Sequence, residues 1–133
     1  MSSKRELKRL CYMEALEDNV VSVEMILNRF NQIDDKKGVF DSYILTHDRT
    51  KATLDLELSL ATLCILHRKM SENLMIVTPP ELRRDMNSII HSNRFEYNRL
   101  EVIVYSQKGR EPVDLRGLLR FCHSLLDNDK LRK

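Results

Sequence analysis

The 133 residues are 42% apolar and 32% charged, enough to bury one core beneath a solvated surface, so a single domain over 1–133 is expected rather than a disordered chain. The 22 Lys and Arg against 20 Asp and Glu leave a net charge of +2, too balanced for overall basicity to imply nucleic acid or an anionic membrane. Only 3 Gly and 3 Pro argue against a many-turned β-sandwich, and 3 Cys without paired spacing point to a reducing compartment rather than a disulfide framework.

The first predicted helix runs from about Lys4 to Ile33. Ser3 with Glu6 forms a capping-box pattern at its start. Met13, Leu16, Val20, Val23, Leu27 and Phe30 then alternate in steps of three and four, which keeps them on one stripe. Asp34 to Gly38 ends the pattern, and 39–45 fits either a helical turn or an edge strand. A second long helix is expected over about 51–77, through Leu56, Leu60, Leu63, His67, Met70, Leu74 and Val77. Within it Leu54, Leu56, Leu58 and Leu60 also alternate at period two, as a half-buried strand would, but the helix-forming composition decides for helix.

Thr78-Pro79-Pro80-Glu81 is the clearest boundary. Thr78 suits an N-cap, Pro79 the first helical position and Glu81 a second capping box. The spacing of Leu82, Met86, Ile90, Asn93, Tyr97, Leu100 and Val104 predicts a third long helix, although 100–105 is rich in β-formers and also fits a strand. Ser106 to Glu111 reads as a loop, Pro112 opens a shorter last helix, and 129–133 forms a frayed basic tail. The expected fold is therefore all-α, an elongated bundle of three long helices plus a shorter C-terminal one. The alternative is α+β, with short strands near 39–45 and 100–105.

No apolar run reaches the roughly 18 residues of a membrane span, and no signal-peptide pattern opens the chain, so an intracellular protein, cytoplasmic or nuclear, is expected without a membrane partner. Cys64-x-x-His67, even with Cys11 or Cys122-His123 added, contains no paired metal-ligand motif, and cysteines in apolar surroundings pack as small hydrophobes. No Gly-rich phosphate loop occurs. Neither metal nor cofactor is expected.

Arg84-x6-His91 places a guanidinium and an imidazole on one helix face, and Arg116-x6-His123 repeats the pattern. These pairs resemble the Arg-x(4–6)-His motif of the HEPN family. The resemblance implies an all-helical, metal-independent RNase working at a dimer interface, with His91 for proton transfer and Arg84 for the developing phosphate charge. It covers only those residues and a helical architecture, and the polar residues often found after the family's His are missing. A second alternative is nucleic-acid binding through Lys8, Arg83 and Arg84, from the basic groups Lys4, Arg5, Lys8, Arg9 and Arg83, Arg84, Arg94, Arg99. The principal reading is a non-enzymatic protein-interaction module, a homodimer or a subunit of a larger assembly. Its partner is expected to close the helix-one seam of Leu16, Val20, Val23, Leu27 and Phe30, because one short final helix covers three longer ones poorly.

Overall fold

No Gly or Pro interrupts residues 4–36 or 43–74, so nothing breaks the backbone hydrogen-bond ladder of the first two helices. In the computed structural model, which describes residues 4–36, 43–92, 94–98, 101–106 and 109–127, they are α1 (Lys4–Lys36) and α2 (Tyr43–Leu74). At 1.5 Å per residue each spans roughly 50 Å. They form an antiparallel hairpin. Near one end Lys8 Nζ donates to Asn73 Oδ1 at 2.9 Å, and further along Arg29 Nη1 meets Asp55 Oδ2 at 3.0 Å. The second helix begins at Tyr43, so 43–45 is helical rather than strand. Positions 37–42, the Ser3 cap and the tail at 129–133 lie outside the described residues.

The helical spacing after Thr78 misleads beyond Ile90. Helix α3 (Pro80–Ile90) is short, and three strands follow it: β1 (Arg94–Asn98), β2 (Glu101–Ser106) and β3 (Gly109–Asp114). The third long helix is thus corrected to 11 residues and a meander, with the strand alternative at 100–105 realised in β2. The reasons are local. Ser92 Oγ donates to Ile89 O at 2.9 Å and ties off the helix end. Val102, Ile103, Val104 and Tyr105 then favour extended backbone. The antiparallel order is β1-β2-β3, with Phe95 opposite Val104, Tyr97 opposite Val102, and Val102 opposite Val113. Those five side chains are buried and share one face, as period-two geometry requires.

Pro112 belongs to β3, and the last helix, α4 (Leu115–Leu126), starts later than its position suggested. Asp114 caps α4, its side chain accepting from Gly117 N at 3.0 Å. A Cβ at Gly117 would stand 2.5 Å from Asp114 Oδ2, so any larger residue there would make the capping side chain shift. The fold is thus mostly helical with one small sheet, built as two layers. The α1–α2 hairpin forms one, while α3, the sheet and α4 cover its inner face. Phe30 joins the layers: fully buried, it lies 4.3 Å from the Tyr97 ring, with the Arg49 guanidinium 5.4 Å from its own centroid.

Candidate functional site

Leu16, Val20, Val23, Leu27 and Phe30 sit inside the core, between 0% and 7% exposed. The seam assigned to a partner is closed by the chain itself, and that placement is corrected. Its physical reason is packing within the chain: α1 lies against α2 along its length and against α4, and Phe30 meets Tyr97 of β1.

The outer face of the hairpin is different. On α2, Leu54, Leu58 and Ile65 stay 55%, 68% and 47% exposed. Steps of four and seven place them within about 40° of one another, on the side of the helix opposite Leu56, Leu60 and Leu63. On α1, Val21 and Met25 are likewise exposed, Met25 at 68%. Met25 and Leu58 line one shallow groove of about 530 Å³ with Ile26, bridged by the Arg29–Asp55 pair. The Leu54-Leu56-Leu58-Leu60 alternation carried the clue. It is not a strand signal but a helix with apolar residues on two faces, one buried and one bare.

A second concavity lies between α2 and α3. Met75, just past the end of α2, has φ 56°, a left-handed backbone that costs a non-glycine residue about 1–2 kcal/mol. The turn sends Ile76 and Val77 back along the helix and brings Thr78 Oγ1 to 2.8 Å from His67 Nε2, with Ser71 Oγ at 3.4 Å. His67 also meets Phe121 edge-on, ring centroids 5.6 Å apart. Burial holds its imidazole below the ordinary histidine range, so it is neutral near pH 7. The Thr78 side chain, predicted as an N-cap, is engaged by His67 instead, and Pro79 occupies the cap position.

Burial pushes the Cys64 and Cys122 thiols up to about 12, which keeps both protonated, and His123 is hydrogen-bonded to Glu24. Among the described residues no group of three or more His, Cys, Asp or Glu could hold a metal ion. Arg84 lines the α2–α3 cleft, whereas His91, exposed, is the C-cap residue beyond α3 and does not line it. A three-stranded sheet also separates α3 from α4, unlike the all-helical bundle that the HEPN resemblance implies.

The basic groups are likewise split. Lys8 reaches Asn73, with Tyr12 also beside it at 6.0 Å, whereas Arg83 and Arg84 face Ser71 across the cleft. Asn73 and Ser71 differ by about 200° around α2, so Lys8 and the two arginines lie on opposite flanks. Arg94 is on β1 rather than α3, and Arg99 lies outside the described residues.

Behind α3 the Asp114 N–H donates to Asp85 Oδ2 at 3.4 Å, and the Ser88 hydroxyl donates to Glu111. Burial pushes the Asp85 carboxyl up. The Asp114 N–H and Arg84 oppose that rise, while the Asp114 and Glu111 charges add to it. These contacts lock α3 to β3 and to the start of α4. None of the described helices is long and apolar enough to cross a membrane. The chain matches no protein-family model, no curated protein and no solved structure.

Proposed function

We propose that the protein is a non-enzymatic interaction module that works as a homodimer, or within a larger assembly, through the outer face of the α1–α2 hairpin. The observation that carries this reading is the bare stripe of Leu54, Leu58 and Ile65 beside Val21 and Met25. Grouped apolar side chains of this size mark association surfaces more often than isolated ones do. The spacing supports it too, since positions four and seven apart form the seam along which a second helix packs. Leu58 and Met25 sit at the centre of the face, where hot-spot residues concentrate.

Light scattering after size-exclusion chromatography tests the proposal across micromolar to millimolar concentrations. Wild type is expected to run as a dimer that dissociates on dilution, and Leu58→Asp as a monomer with unchanged circular dichroism. A wild-type chain that stays monomeric throughout overturns the homodimer.

A further inference from the structure

The cleft between α2 and α3 encloses about 920 Å³, within the range of about 300–1,000 Å³ typical of small-molecule sites. Its floor is aliphatic: Cys64 and Met86 are buried, and Ile76 and Ile90 are half-buried at the walls. His67 and Thr78 line it as well, but they already satisfy one another at 2.8 Å. The mouth carries Arg68, Arg83 and Arg84 against the lone carboxylate of Glu72. Arg83 Nη2 donates to Thr78 O at 3.3 Å, which steadies one guanidinium at the rim. The Arg68 guanidinium has no hydrogen bond or ion pair with any described residue, and that of Arg84 has no hydrogen bond and acts on the neighbouring Asp85 only through its charge. The lining contains no Phe, Tyr or Trp. Greasy walls below a cationic rim suit one kind of molecule.

We propose that this cleft binds a small aliphatic ligand ending in an oxyanion, either a carboxylate or a phosphate monoester. The chain lies over Met86, Ile76 and Ile90, and the head is held by the guanidinium groups of Arg83, Arg84 and Arg68. Guanidinium is suited to this, because its planar fork matches both head groups with paired hydrogen bonds. The cleft is centred about a quarter-turn around α2 from Leu54, Leu58 and Ile65, and only its rim residues Arg68 and Glu72 come near Ile65, so binding in its interior can be tested apart from dimerisation.

Calorimetry and amide NMR with decanoate, decyl phosphate, decyltrimethylammonium and inorganic phosphate test it. Saturable binding of decanoate, decyl phosphate or both, one per chain, with shifts at Ser71, Val77 and Asn87, is the expected result, and whichever binds identifies the head group. Arg83→Ala/Arg84→Ala is expected to weaken that binding at least about ten-fold while leaving the melting temperature within a few degrees. Ser71→Trp, which fills the cleft from its α2 wall, is expected to abolish it. Equal binding of decyltrimethylammonium, equal binding of inorganic phosphate, shifts confined to the outer hairpin face, or no saturable binding of either anionic amphiphile would each overturn the proposal.

Discussion

The two layers of the molecule are held together in different ways. The α1–α2 hairpin repeats one device, a stripe of apolar side chains every three or four residues, and its polar links, such as Arg29 to Asp55, lie outside that seam. The α3–sheet–α4 layer also buries apolar side chains, such as Val102, Leu115 and Leu118, but adds individual polar links within itself: Ser88 to Glu111, the Asp114 N–H to Asp85, and Asp114 to Gly117. A repeated device tolerates small surface changes but reacts strongly to a hole. Single links behave in the opposite way, each costing a modest and local amount when lost.

The largest effect should come from the seam. Leu60→Ala leaves a cavity at a fully buried position and is expected to destabilise the fold by about 3–5 kcal/mol in urea titration. A loss under 1 kcal/mol would mean that the hairpin is not packed as described. Acid should act through His67, which ties α2 to Thr78 in the turn before α3. Its pKa is lowered in the folded state, so between that value and about 6.5 the unfolded chain binds the additional proton. Stability is therefore full above about pH 6.5 and falls as pH drops through that window. In thermal melts from pH 7.5 to 5, His67→Gln should show a flatter decline than wild type.

Asp114→Ala should cost about 1 kcal/mol, because it removes the side chain that accepts from Gly117 N at the start of α4. Met75→Gly should move the other way, gaining about 1 kcal/mol by relieving the left-handed backbone. The smallest change is expected for Arg29→Ala. Its pair with Asp55 is more than a third exposed and should contribute less than about 1 kcal/mol. If Arg29→Ala cost more than Asp114→Ala, the contrast between the layers would be reversed.

The same contrast explains what the sequence disclosed. Both hairpin helices were legible because residues 4–36 and 43–74 combine an unbroken helical period with no Gly or Pro. The second layer was not. Leu82, Met86 and Ile90 continue numerically into Tyr97 and Val104, so a strand face and a helix stripe coincide beyond the end of α3 at His91 and Ser92. That misreading had a consequence for function. The stripe from Leu16 to Phe30 reads as an open seam when the cover from α4 and Tyr97 is not foreseen, while the period-two run of Leu54, Leu56, Leu58 and Leu60 reads as helix without showing that Leu54 and Leu58 are bare. The cleft was hidden for another reason. Arg68, His67 and Thr78 are brought to Arg83 by one left-handed residue at Met75, and no periodicity announces such a turn.

Methyl NMR of a dilution series separates the two faces of the hairpin most directly. From millimolar to micromolar protein, the methyl signals of Met25, Leu54, Leu58 and Ile65 should shift together, while those of Leu16, Val20, Val23 and Leu27 stay fixed. Outer signals that do not move with concentration, or buried ones that move with them, would contradict a partner seated on the outside of a closed fold.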